Sequence, residues 1–480
     1  MTKPQRPPRD WVRLDNASNI FLAARTEVDP KVFRMSVEID HEVDPQLLQS
    51  ALDDTFERFP LYHAVMRRGV FWYYLEDSDL RPVVEPDTEV TCSPIYRSDR
   101  RNLLFRVRYH GRRISLELFH ALSDGTGALW FLSDLVTNYL RARPDARPET
   151  AGFDAVDAAW PDDRAEQVHG LIPDSFGHHF ARRRRESREA PGDTDFDRAA
   201  AGATVDTATA PTSVPPRARH PLREAVRGGA RSVLRVRGTR TPDNRTRLVE
   251  LTLPAAQALA LARRERVSLT MYLTALFFES VRATAEAADT ADTLAASVPV
   301  NLRQFFESTS ARNFFATVRI EHTYGDGDDS VGGVARALEA QFRPKASREA
   351  LERKLQKLIR AERAPLLRVV PRPLKDALLR LINLGNNRGL TVAVSNLGRV
   401  TLPSPGDARI RRMFFHVSAV RPQFCAISHG ETLTVSFTSP FVETDHVREF
   451  ARHLTREGVY VTVAAVPVTE LEVAELEADV

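Results

Sequence analysis

At 480 residues the chain exceeds one ordinary hydrophobic core, which points to two domains or two halves of similar size. Its 67 Lys and Arg nearly balance its 64 Asp and Glu, so no overall field is available to hold nucleic acid or an anionic membrane, and any charge-driven contact has to be local. The opening MTKPQRPPRD has no apolar signal core and the longest strongly apolar stretch, LTMYLTALFF, is far shorter than a membrane span, so the expectation is a soluble, cytoplasmic protein with no membrane span.

The first predicted elements alternate between strands and helices. VFRMSVEI puts Phe33, Met35, Val37 and Ile39 on one strand face, and VDPQLLQSALDDTFERFP reads as a helix with Asp44 as N-cap, Pro45 at its first position and Pro60 beyond its end. YHAVM and VFWYYLE form a hairpin turned at Arg68 and Gly69. Next, NLLFRVRY and RISLELFH form a second hairpin, joined at His110 and Gly111 and ending on His120. After Gly125 the apolar residues Ala128, Leu129, Phe131, Leu132, Leu135, Val136, Tyr139 and Leu140 recur at helical spacing, so a helix runs over 126–142. From about Pro144 to Arg247 large apolar residues thin out and Arg, Pro, Ala and Asp dominate, which reads as a linker or peripheral insertion. Order returns at RLVELTLP, followed by helices over 254–265 and 268–285, the second capped by Ser268. The strands TLAASVPV, NFFATVRIEH, LTVAVSN, MFFHVSAV, QFCAISH and TLTVSFT follow, interleaved with helices near 331–343, 347–363, 373–384 and 444–457. The pattern is that of an α/β chain divided into 1–143, 144–247 and 248–480.

One junction carries chemistry. In ISLELFHALSDGTGALW the motif H-x-x-x-D-G, with His120, Asp124 and Gly125, stands where a strand passes into a helix. The 13 histidines and 22 glycines give about 0.04 such matches by chance. Two readings stand side by side. In one, a strand-end histidine bonds a nearby carbonyl and Asp124 merely caps the helix. In the other, His120 is a general base for attack on a thioester, whose thiolate leaves with little help because a thiol pKa is about 8.5. A neutral imidazole near its ordinary pKa of about 6.5 suits that task. Gly125 and Gly127 let a substrate approach the backbone, and amides at the start of helix 126–142 can face a tetrahedral oxyanion. No G-x-S-x-G is present, and Ser123 lies too close to His120 along the chain for a serine-hydrolase triad.

HALSDG, together with WVRLDNASNIF, FPLYHAVM, VPVNLRQFF, ARNFF and VSNLG, resembles bacterial alcohol acetyltransferases. These belong to the CoA-dependent acyltransferase superfamily, alongside peptide-synthetase condensation domains, plant BAHD enzymes and polyketide-associated acyltransferases. The resemblance covers residues 10 to 460 apart from 144–247. It implies two chloramphenicol-acetyltransferase-like halves, each a mixed sheet with helices, and an active-site tunnel between them. It further implies that His120 is the base, that Asp124 pairs with an arginine of the second half, for which Arg303 is the candidate, and that Ser395 and Asn396 contact substrate or brace the halves. An acyl-CoA is then the co-substrate, with no bound cofactor and no metal, and the acceptor is a small-molecule alcohol or amine. A carrier protein as acyl donor and a catalytically silent binding module are the competing readings. Phe119 stands where condensation domains usually carry a first histidine, and the D-F-G-W-G segment of the plant enzymes is absent.

Other signals have plainer readings. The run Arg182 to Arg185 is a solvated charge face, or a docking surface if a carrier delivers the acyl group; His178 and His179 are a surface pair; YGDGDDS over 324–330 is a polar turn without the final Glu of a calcium loop. Phe71, Trp72, Tyr73 and Tyr74 pack a hairpin, and Phe277 and Phe278 lie on the core face of a helix. Cys92 and Cys425, far apart and outside any C-x-x-C pair, are small core residues.

Overall fold

Strand alternation in the first 120 residues builds one lobe of the molecule, seen in a computed structural model that describes residues 10–143, 233–241, 245–285, 292–325, 327–362 and 370–465. The sequence expectations for Arg182 to Arg185, His178 and His179 lie outside these residues. A short sheet, ordered β1 (Trp11–Arg13), β4 (Tyr73–Glu76), β3 (Val65–Arg68), flanks the lobe, and helix α1 (Asn16–Ala24) follows its first strand. The main sheet of this lobe begins with β2 (Val32–Ile39), which pairs antiparallel with β7 (Arg113–Phe119). β6 (Phe105–His110) follows antiparallel and β5 (Val84–Pro86) parallel at the edge. Phe33, Met35, Val37 and Ile39 of β2 are fully buried.

Two helices cover that sheet. In α2 (Pro45–Arg58) the Asp44 carboxylate accepts from the amides of Gln46 (2.8 Å) and Leu47 (3.1 Å), while Pro45 fills a position that needs no donor. Leu48, Ala51, Leu52 and Phe56 face inward and pack on α3 (Gly125–Ala142), whose buried stripe runs Ala128, Phe131, Leu132, Leu135, Val136, Tyr139, Leu140.

The second lobe is built on a seven-stranded sheet ordered β10 (Phe315–Thr323), β9 (Thr293–Asn301), β11 (Val392–Val400), β13 (Gln423–His429), β14 (Thr432–Ser439), β8 (Arg247–Pro254), β15 (Thr462–Ala465). Among its helices are α4 (Ala255–Arg264), α5 (Leu269–Thr284), α6 (Val331–Lys345), α7 (Arg348–Glu362) and α9 (Asp445–Arg456). α5 opens on Ser268, whose Oγ accepts from the Met271 amide, and it is apolar nearly all round because α4, α6 and α9 enclose it. Phe277 and Phe278 are fully buried there. Cys92 and Cys425 are buried and free, in agreement with their reading as small core residues.

The α/β class in two lobes follows the sequence pattern, but one strand does not stay with its sequence neighbours. MFFHVSAV contributes β12 (Ile410–Val417), which pairs antiparallel with β2, with Met413 opposite Val37 and Phe415 opposite Met35, and so extends the first lobe's sheet to the order β12-β2-β7-β6-β5. The chain then returns to the second lobe at β13. This crossing ties the lobes together. Helix α8 (Arg372–Arg388) lies outside both cores, packed on α1.

Candidate active site at the seam of the lobes

His120 follows the last residue of β7, and its backbone is held on both sides. Its amide donates to the Lys31 carbonyl (2.8 Å) and its carbonyl accepts from Asn313 Nδ2 (2.7 Å), which reaches across from the second lobe. The imidazole is clamped by aromatic rings. Phe21 of α1 stacks on it with centroids 3.8 Å apart and planes 13° from parallel; Phe33 of β2 meets it edge-on at 5.0 Å, and Phe315 at the start of β10 lies 5.8 Å away. Nδ1 is buried without a hydrogen-bond partner, whereas the residue as a whole keeps accessible surface. Burial pushes the imidazole pKa below its ordinary value, outweighing the opposing influence of its own carbonyl and of Asp124.

Asp124 is the N-cap of α3, and both carboxylate oxygens are occupied. Oδ1 accepts from the Gly127 amide (2.9 Å), and Oδ2 accepts from Arg303 Nη1 (2.7 Å) and from the Phe314 amide (2.7 Å). Arg303 spends its second terminal nitrogen on the carbonyls of Ser310 (2.7 Å) and Arg312 (2.6 Å). The ion pair is buried, with side-chain exposures of 7% for Arg303 and 6% for Asp124, so neither charge has water to fall back on. The N-cap role and the charge partner coexist in this one side chain. Because Asp124 takes the Gly127 amide, that N–H is not free to face an oxyanion.

The two glycines differ. A Cβ on Gly127 would fall 2.1 Å from the Ala311 carbonyl oxygen, so what approaches this glycine closely is the backbone of the other lobe, not open space for a substrate. A Cβ on Gly125 would meet Leu397 Cδ2 at 2.9 Å, the end of a flexible side chain. Leu397 reaches that point because β11 carries an irregularity between Asn396 and Arg399, where the pairing with β13 shifts register and Gly398 takes φ +76°. Ser395 sits in the paired part of β11 opposite Cys425. Asn396 uses Nδ2 on Thr270 Oγ1 (2.9 Å) and Oδ1 on the Gly398 amide (2.8 Å), both within the second lobe.

The sequence motifs give no role to the segment 310–315, although ARNFF is among the stretches that carry the resemblance. It supplies the seam contacts nearest His120. Arg312 pairs with Asp15 (3.1 Å), which also caps α1 through the Ser18 amide, and Asn313 Nδ2 donates to Ser18 Oγ (2.8 Å) as well as to His120. These contacts fix α1, and α1 brings Phe21 onto the imidazole. An arginine and an asparagine directly before Phe314 and Phe315 were the available signal, since such polar groups are buried only with partners. Among the described residues no group of three side chains could hold a metal ion.

No family model matches the chain, and no curated protein matches it. Solved structures do. Polyketide synthase associated protein 5 from Mycobacterium tuberculosis superposes with TM-score 0.54 at 15% identity, covering 93% of this chain and 98% of its own. Trichothecene 15-O-acetyltransferase from Fusarium sporotrichioides gives 0.53 at 11%, covering 95% and 99%. The starter condensation domain of rhizomide synthetase, solved with C8-CoA and Leu-SNAC, gives 0.53 at 14%, covering 93% and 94%. At these identities the likeness establishes the fold alone: the chain shares the two-lobed α/β architecture of these proteins.

Proposed function

We propose that the protein transfers an acyl group from an acyl-CoA to a hydroxyl of a small-molecule acceptor, with His120 as general base. The observation that carries this reading is an imidazole lodged between Phe21 and Phe33 of one lobe and Phe315 of the other, partly accessible, with its Nδ1 turned inward. With Nδ1 enclosed, Nε2 is the nitrogen offered to an incoming group. It takes the acceptor proton as the oxygen attacks the thioester carbonyl. The tetrahedral intermediate then collapses with cleavage of the carbon–sulfur bond, and the imidazolium returns the proton to the departing thiolate, giving ester and free CoA. A pKa held below its ordinary value keeps the imidazole neutral, as a base must be, near pH 7. Asp124 and Arg303 hold the lobes in register and do not touch the reacting atoms. An amine acceptor would use the same machinery, and the structural likeness to condensation domains keeps a carrier-bound donor as the second reading.

The test is thiol release from a panel of acyl-CoAs with mixed alcohols and amines, with products read by mass spectrometry. Replacing His120 by Ala is expected to lower turnover by roughly 10²- to 10⁴-fold with the fold intact. Near-parental turnover in that variant removes the base assignment. Turnover with a carrier-bound thioester and none with free acyl-CoA transfers the reading to the carrier-dependent class.

A further inference from the structure

Helix α8 is amphipathic the wrong way round for a helix in water. Its half-buried positions, Arg372, Lys375, Asp376, Leu379, Asn383 and Asn387, fall on one side at helical spacing and are mostly polar. They are engaged with the protein: the Arg372 amide and Nη1 donate to the carbonyls of Val70 and Gly69, Tyr73 donates its hydroxyl to Asp376 (2.8 Å), and Lys375 lies 3.5 Å over the Trp72 ring. The opposite side carries Leu374, Leu378, Leu381, Ile382 and Leu384, each between 44% and 67% exposed, and no residue of the helix is fully buried. Val70 and Phe71, at the tip of the β3–β4 hairpin against which α8 starts, are also apolar and exposed, at 72% and 42%.

A patch of this extent marks an interaction site. Charge decides between occupants. The charged residues of α8 that remain exposed, Arg380 and Arg388, are both cationic, while its one acid, Asp376, is turned toward Tyr73, so the rim of the apolar face is cationic. A second copy docked through the same face would bring like-charged rims together around an apolar seam, which is unfavourable. Anionic lipid headgroups satisfy that rim while the acyl region takes the leucines. The helix has 17 residues, and no helix among the described residues is long and apolar enough to cross a membrane, so α8 would lie in the surface. We propose that α8, with the tip of the β3–β4 hairpin, is a membrane-docking element that seats the protein on an anionic bilayer. Adsorption needs no chemistry at His120, so this inference stands apart from the acyl-transfer reading.

The experiment is flotation of the full chain with phosphatidylcholine vesicles, with and without a minority of phosphatidylglycerol. The parent is expected to float with the anionic vesicles and to be released by high salt. Leu378→Glu combined with Leu381→Glu is expected to lower partitioning at least tenfold; both side chains are exposed, so its melting curve should match the parent's. Arg388→Gln is expected to lower partitioning to anionic vesicles about fivefold and leave neutral vesicles unchanged. A parent protein that stays with the unbound fraction on both vesicle types overturns the proposal, whatever the variants do. So does undiminished flotation of the double variant, or a concentration-dependent dimer that the double variant dissolves, which would assign the face to a second copy.

Discussion

Replacing Arg303 by Met tests the seam most directly, because the change keeps the stem and removes only the guanidinium. Three hydrogen bonds go with it: Nη1 to Asp124 Oδ2, and Nη2 to the carbonyls of Ser310 and Arg312. The carboxylate left behind is 6% exposed and keeps two backbone donors, the amides of Gly127 and Phe314, but no counter-charge. Breaking a buried pair from one side costs about 3–5 kcal/mol, a large part of a typical folding stability of about 5–15 kcal/mol. Asp124→Asn is no refuge. Oδ1 and Oδ2 each accept from a donor, so an amide nitrogen turned either way faces an N–H, and Arg303 loses its counter-charge. With both changes together neither charge is orphaned, so the cost is expected to fall short of the sum by about 1–3 kcal/mol. Equilibrium urea unfolding reads this through tryptophan fluorescence, and Trp130, whose ring lies 5.2 Å from the Arg303 guanidinium, reports on the region itself. Single variants within about 1 kcal/mol of the parent, or costs that simply add, would refute a coupled buried pair holding the lobes in register.

The glycines of the motif should separate. Gly127→Ala drives a methyl into the Ala311 carbonyl and is expected to cost about 1–3 kcal/mol or more, whereas Gly125→Ala meets only the movable end of Leu397 and is expected to cost less; equal melting temperatures in the two variants would contradict this. The pH dependence of kcat/KM should show an acidic limb centred below 6.5, because burial disfavours the His120 imidazolium and activity is lost only as the base protonates; a limb centred above about 7 would exclude His120 as the titrating base. His446, buried in the second lobe, has its pKa pushed down by burial to about 4 from an ordinary 6.5. Between those values the unfolded chain binds the proton and the native state refuses it, so stability falls as pH drops, by about 3 kcal/mol at pH 4 from this group. His446→Gln is expected to flatten the fall of melting temperature between pH 6.5 and 4, and an unchanged slope would show that other groups govern it.

Much of the local architecture was legible because its causes are local. Asp44 with Pro45 and Ser268 mark helix starts by side-chain capping, and the spacing from Ala128 to Leu140 marks a buried helical face. Period-two alternation marks β2 in the same way. The motif's position at a strand-to-helix junction was legible for that reason too. Helix α1 was not read from its sequence: its cap residue Asp15 is held by Arg312, 297 residues away, and the helix matters because it carries Phe21 to His120. The direction of α8's apolar face was equally out of reach, since periodicity shows that a helix has two faces but not which one meets the protein.

The sequence by itself determined most helices and strands, the α/β class and the identity of the histidine worth examining, since each follows from the spacing of residues within a few turns or a few strand positions. Only the tertiary structure decided that β12 leaves its sequence neighbours to pair with β2, and that Asn313 and Phe315 close around His120 from the far lobe. Strand pairing and buried polar contacts join groups hundreds of residues apart. Their partners are selected by shape and by the need to satisfy every buried donor and charge, conditions that no window of sequence contains.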